Sequence, residues 1–143
     1  DGAKMVNTMA NSIVPKFTVI IGNSFGAGNY AMCGKAYDPD LILAWPSAKM
    51  AVMGGEQAAK VILQLEEKKL EKVGKTLNDI DRMEMLKSIR DKYENQMSPY
   101  YAAARMWIDE IIDPKDTRKY ISKGIEMANN KIRKGFKTGV IQT

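Results

Sequence analysis

The sequence predicts an α/β fold with a small mixed sheet flanked by helices, and two features carry that expectation. Three short apolar runs, at 17–21 (FTVII), 41–45 (LILAW) and 49–53 (KMAVM), have the composition of buried strands. Longer stretches with helical spacing lie between and after them, and two of the strand-to-helix passages are built from glycine and alanine.

In chain order, residues 3–12 place Met5, Val6 and Met9 at helical spacing and read as a short amphipathic helix. Val14-Pro15-Lys16 breaks it and delivers the first strand. Gly22 ends that strand, Asn23 and Ser24 turn, and Gly26-Ala27-Gly28 leads into a helix expected over 29–37. Gly34 would then sit inside a helix at a cost of ~1 kcal/mol relative to alanine, accepted for close helix–sheet contact. Cys33 reads as a small core residue. Asp38-Pro39-Asp40 turns into the second strand, and Pro46-Ser47 turns into the third. Gly54-Gly55 opens a helix expected over 56–72, with Ala59, Ile62, Leu63 and Leu70 inward.

Beyond a charged helix end and a loop at Gly74, residues 77–96 read as a helix with Ile80, Met83, Leu86, Ile89 and Tyr93 as its inner stripe. Pro99 starts another, whose Ala102, Ala103, Ala104, Met106 and Trp107 suggest a flat packing surface. Ile111-Ile112 is a short apolar segment. Asp116 is the expected N-cap of a last helix running from Thr117 to about Lys134. Lys131, Arg133, Lys134 and Lys137 form a basic end that reads as a solvated tail rather than a nucleic-acid site. The ten methionines fall at helical spacing and read as core filler.

The passage from Phe17 to Met32 draws the functional argument. A buried strand, a glycine-rich turn and a helix start leave backbone N–H groups without intrahelical acceptors. Such groups suit a phosphate or a developing oxyanion, and small residues at 26, 27 and 28 let a ligand oxygen come close to the main chain. The spacing matches neither GxGxxG nor GxxxxGK[ST]. GNSFG superficially matches a G-x-S-x-G elbow with Ser24 as nucleophile, yet that chemistry needs a histidine base and the chain has no histidine. The alternative is a tight turn that uses glycine for packing alone. Met53-Gly54-Gly55 repeats the device. Two such turns at neighbouring strand ends would line one crevice.

A chain of 143 residues with 45% hydrophobic and 27% charged content is one globular domain of ordinary size. No run approaches the ~20 apolar residues of a membrane span. The lone Cys33 leaves no internal disulfide, consistent with a reducing compartment. Absence of histidine removes Ser-His and Cys-His catalysis, histidine bases and His-containing zinc sites. A net charge of +5 suits coenzyme A phosphates or another polyanion, and is equally common where no anionic partner exists. The chain opens on Asp1 with a helical pattern almost at once, so an excised or processed piece is expected.

Residues 20–61, through GAGNYAMCG, AWP and VMGGEQAA, closely resemble the carboxyltransferase β subunits of biotin-dependent acyl-CoA carboxylases of the methylcrotonyl-CoA and geranyl-CoA type. The resemblance continues through residues 95–121 (NQMSPYYAAARMWIDEIIDPKDTRKYI) and leaves out the basic tail. It implies a crotonase-like (ClpP/crotonase) spiral of ββα units, with residues 1–143 as the C-terminal domain of a longer two-domain subunit. It further implies transfer of CO2 from carboxybiotin to an acyl-CoA such as 3-methylcrotonyl-CoA. Biotin would be carried on a separate carrier domain, with no metal in this domain. Carried over by motif, the backbone N–H groups of Ala27 and Gly28, or a pair offset by one residue, form the oxyanion hole for the biotin ureido carbonyl, with Gly26 as the turn residue. By the repeated turn device, Gly54 and Gly55 are expected to line the substrate side. Tyr30 faces the acyl group. Implied partners are acyl-CoA, the N-terminal carboxyltransferase domain, a biotin carboxyl carrier and biotin carboxylase subunit, and further copies in a hexamer, with neither nucleic acid nor membrane. The implied location is the bacterial cytoplasm or the mitochondrial matrix. Three alternatives remain beside this: a biotin-dependent decarboxylase, a biotin-independent crotonase-type enzyme using Glu56 as base, and a non-catalytic scaffold domain.

Overall fold

The structure, a computed structural model, describes residues 2–130. The basic end at Lys131, Arg133, Lys134 and Lys137, and the expected end of the last helix near Lys134, lie outside the described residues.

Helix α1 (Gly2–Asn11) precedes strand β1 (Phe17–Ile20). The residues read as a turn, Asn23 and Ser24, instead belong to a second strand, β2 (Asn23–Phe25), and helix α2 (Gly26–Ala31) follows without an intervening loop. Strand β3 (Leu41–Ala44), strand β4 (Lys49–Ala51) and helix α3 (Gly55–Lys72) come next. Helix α4 (Asp79–Gln96), short helix α5 (Pro99–Ala103), strand β5 (Glu110–Ile111) and helix α6 (Thr117–Asn129) complete the described chain.

Every strand pairing is parallel. The order β1-β3-β5 makes one sheet, and β2-β4 make a second. The single mixed sheet expected from the sequence is thus replaced by two parallel ones. Gly22 is where the chain leaves one sheet for the other: Trp45 N–H reaches the Ile20 carbonyl at 2.9 Å and Lys49 N–H reaches the Gly22 carbonyl at 3.1 Å. Each strand pair therefore advances together from the first sheet to the second. Parallel strands need a crossover, and helices supply it. Strand β3, in the middle of the first sheet, is largely buried and reads as an apolar run, whereas β1, β2 and β4 stay partly exposed.

The core joins Ile20, Ile42, Ala44, Ala48, Ala102 and Ile108. Helix α6 lies on β1, where a Cβ at buried Gly124 would come 3.0 Å from the Phe17 ring. Trp45 Nε1 donates to Thr117 Oγ1 at 3.0 Å and pins the start of α6. Asp116 precedes α6 as expected, yet its side chain makes no capping hydrogen bond. Asp113 instead caps the 3-10 turn Pro114–Asp116 that precedes α6, accepting from Lys115 N–H at 3.1 Å.

Helices α3 and α4 form a hairpin with Ala58, Ala59 and Leu63 buried. The expected inner stripe of α4 holds only in part. Leu86, Ile89 and Tyr93 are half-buried, whereas Ile80 and Met83 are 71% and 73% exposed. They sit at the end of the hairpin remote from the sheets, where, among the described residues, only α3 lies alongside α4.

Candidate functional site

The helix expected over 29–37 is two pieces. Six-residue α2 stops at Ala31, and a single 3-10 turn occupies Lys35–Tyr37. The stop is a Schellman cap: Gly34 N–H donates to the Asn29 carbonyl at 2.8 Å and Cys33 N–H to the Tyr30 carbonyl at 3.0 Å. Cys33 takes the left-handed position at φ 66°. Gly34 is not inside a helix, and the sheet does not dictate it. A Cβ there would lie 2.8 Å from the Asn29 carbonyl oxygen and against the Asn29 side chain. Cys33 is 4% exposed, and burial pushes its thiol up while the nearby Lys16 charge opposes.

Strands β2 and β4 are parallel neighbours with Phe25 opposite Ala51, so the turns that leave them emerge side by side. At Gly26 φ is +53°, and a Cβ would stand 2.8 Å from the Val52 carbonyl oxygen. Only glycine meets both demands. Phe25 is the N-cap of α2 and makes no side-chain capping bond. Ala27 and Gly28 occupy the second and third helical positions, whose N–H groups have no intrahelical acceptor. Both residues are exposed.

A cavity of about 480 Å³ adjoins this turn, with Gly26, Asn29, Tyr30, Lys35, Val52 and Trp107 among its lining residues. Of the sequence-predicted site residues, the structure brings Gly26 and Tyr30 into the wall. Ala27 and Gly28 sit on the open side of the same helical turn. Gly54 caps α3, and Gly55 is buried, where a Cβ would meet Met97 Cε at 3.1 Å. The second turn thus reaches the cavity through Val52 rather than through its glycines. Asn29, Val52 and Trp107 were not singled out as lining residues in the sequence. Asn29, polar and directly after Gly28 within GAGNYAMCG, is the one a closer reading of the motif would find.

Glu56 is exposed at the start of α3, bonded to Lys60 at 3.0 Å. That hydrogen bond, with the Lys60 charge, holds its carboxyl below the ordinary range. It does not line the cavity, so it is poorly placed to act as a base there. Among the described residues, no cluster of His, Cys, Asp or Glu is arranged to hold a metal ion, and no helix is long and apolar enough to cross a membrane.

Two parallel strand ends and two adjoining turns thus leave exposed Ala27 and Gly28 on the same helical turn as Gly26 in the cavity wall. The chain belongs to the carboxyl transferase domain family, which matches residues 1–139. The methylcrotonoyl-CoA carboxylase beta chain of Dictyostelium discoideum, named as mitochondrial, is 48% identical over 130 residues, covering 91% of this chain and 22% of that protein. A Mycobacterium tuberculosis protein named as the biotin-dependent 3-methylcrotonyl-coenzyme A carboxylase beta1 subunit is 46% identical over 126 residues, covering 88% and 24%. The crystal structure of the geranyl-CoA carboxylase beta subunit of P. aeruginosa superposes with a TM-score of 0.79 at 36% identity, covering 97% of this chain and 26% of that one. The fold is crotonase-like, as its carboxyltransferase neighbours are. The chain spans about a quarter of the length of the relatives it matches.

Proposed function

We propose that residues 1–143 are the C-terminal domain of a two-domain carboxyltransferase subunit, the half that holds carboxybiotin while CO2 passes to an acyl-CoA such as 3-methylcrotonyl-CoA. The observation that carries this reading is Gly28. Its φ is not positive, and among the described residues a Cβ built on it meets nothing within 4 Å. Glycine in a helix is nonetheless disfavoured by about 0.5–1 kcal/mol relative to alanine. Neither strain nor packing accounts for it, whereas close approach of a ligand oxygen to the main chain does.

The N–H groups of Ala27 and Gly28 fit a urea carbonyl, a neutral acceptor that gains negative charge as its ring nitrogen is released. A donor fixed before that charge develops typically contributes ~2.7–4 kcal/mol to the transition state. Carboxybiotin, when bound, supplies both the carboxyl group and the ureido nitrogen that takes up the proton of the acyl-CoA. Gly26 sets the turn, Gly54 and Gly55 hold the second turn beside it, and Tyr30 faces the acyl group across the cavity. No side-chain base is required of this chain, in keeping with its lack of histidine and with the paired state of Glu56.

The complete assembly follows from the same reading. An N-terminal domain holds the acyl-CoA, a carrier domain brings biotin from a biotin carboxylase subunit, and copies associate as a hexamer in the bacterial cytoplasm or mitochondrial matrix. Tyr100, Met106 and Trp107, all exposed, would lie on the face that meets a neighbouring domain. The test is Gly28→Val in the complete subunit. Transfer is expected to collapse while the fold and the avidin sensitivity of residual activity persist. A folded variant that turns over within about threefold of wild type would leave the turn a structural device only. Robust transfer by residues 1–143 alone would overturn the two-domain reading.

A further inference from the structure

The turn that presents the Ala27 and Gly28 amides has little of its own to hold it. Helix α2 is six residues long, its N-cap side chain contributes no hydrogen bond, and both amide-bearing residues are exposed. A helix this short is marginal by itself, since nucleation costs more than one turn returns. Ties to residues outside α2 must fix its direction.

Asn29 is the side chain placed to do so. Its Nδ2 donates to Ser24 Oγ on β2 at 2.7 Å. Its backbone carbonyl accepts Gly34 N–H at 2.8 Å in the cap that ends α2. Its side chain lies over Gly34 so closely that no Cβ fits there. One half-buried residue thus joins the strand before the turn, the helix itself and the loop after it, and it lines the cavity next to Gly28. Ser24, in the nucleophile place of a G-x-S-x-G pattern, is instead the acceptor that anchors this link.

We propose that Asn29 is a positioning residue: its amide, tied to Ser24 and seated on Gly34, holds the first turn of α2 so that the Ala27 and Gly28 N–H groups keep one direction toward the bound carbonyl. This rests on the carboxyltransferase reading above. It acts on the rate of the step that charges the carbonyl rather than on acyl-CoA binding, because the Asn29 amide is engaged with Ser24 and Gly34 on either side of the turn.

The test uses the complete, biotinylated enzyme with Asn29→Ala, Ser24→Ala, the double variant and Ser24→Thr. Displacing a donor by about 1 Å costs up to ~100-fold in rate. A fall in kcat of about 10–100-fold is therefore expected for each single alanine variant, with KM for acyl-CoA within about twofold. Because both residues act through one hydrogen bond, the double variant should be no slower than the worse single one. Ser24→Thr keeps the hydroxyl and should recover most of the rate lost in Ser24→Ala. If Asn29→Ala fails to fold, Ser24→Ala and Ser24→Thr alone decide the matter. Folded variants with kcat within about threefold of wild type, losses that multiply in the double variant, or a KM for acyl-CoA rising in step with the kcat loss would each overturn the positioning role. Wild-type transfer that avidin does not inhibit would instead remove the underlying carboxyltransferase reading, and the role of Asn29 with it.

Discussion

Asp109 and Ile42 hold each other twice: Asp109 N–H donates to the Ile42 carbonyl at 2.9 Å, and Ile42 N–H donates to Asp109 Oδ2 at 2.7 Å. The carboxylate thereby stands in for a strand where β5 has not yet begun. Ile42 is buried in the core, so losing this acceptor strands its N–H away from water. Asp109→Ala is expected to destabilise the fold by about 1–3 kcal/mol. Asp109→Asn, which keeps an acceptor oxygen, should cost less. Denaturant midpoints of the two variants check this, and equal losses would count against the hydrogen bond as the cause.

Met106 sits at φ 56°, the left-handed position of a Schellman cap closed by Trp107 N–H to the Ala102 carbonyl at 3.0 Å. Its side chain is 79% exposed and so contributes little burial here. The equivalent position at the end of α3 is Gly74, at φ 70°. Met106→Gly is expected to raise stability by up to about 1 kcal/mol, the relief of left-handed strain less the added entropy of an unfolded glycine. Thermal unfolding would show it, and a lowered midpoint would mean that the Met106 side chain has a packing role.

Two glycines of the same motif should answer alanine in opposite ways. Gly34→Ala forces a Cβ against Asn29 and is expected to cost about 1–3 kcal/mol. Gly28→Ala places its Cβ in open space and should stabilise the helix by about 0.5–1 kcal/mol while lowering transfer. A Gly28→Ala variant that is both more stable and fully active would remove the ligand as the reason for glycine there.

The Cys33 thiol is raised by burial, so the folded chain holds its proton to higher pH than the unfolded chain does. Its contribution to stability is fully present below the unfolded value of about 8.5 and is lost as pH rises through the folded value. Wild type should therefore lose stability more steeply than Cys33→Ala as pH rises above the unfolded value of about 8.5. Thiol alkylation at pH 8 should be slow in the native chain and rapid in guanidinium. Rapid native labelling would show that the site opens readily.

Much of the molecule is legible in residue order because it depends on local composition. The apolar runs at β1 and β3 and the glycine start of α3 state their own conformations, whereas Gly26-Ala27-Gly28, read as a turn, are the first residues of α2. Steric demand and hydrophobic period act over a few neighbouring residues. Long motifs such as GAGNYAMCG identify the family for the same reason: the residues that form the turn are contiguous.

Tertiary structure decided the rest. Whether Asn23-Ser24-Phe25 turns or extends depends on β4, some 26 residues further on, lying alongside to pair with it. Helix α2 ends at Ala31 because backbone bonds close a cap around Cys33, although the composition of 29–37 would let a helix run on. Ile80 and Met83 have the period of a buried stripe, yet among the described residues nothing buries them. Gly26 and Gly34 are held by the Val52 carbonyl and by Asn29, and Gly28 by neither. Period and propensity report what a segment can do, and burial and close approach are properties of pairs of segments, which only the folded chain brings together.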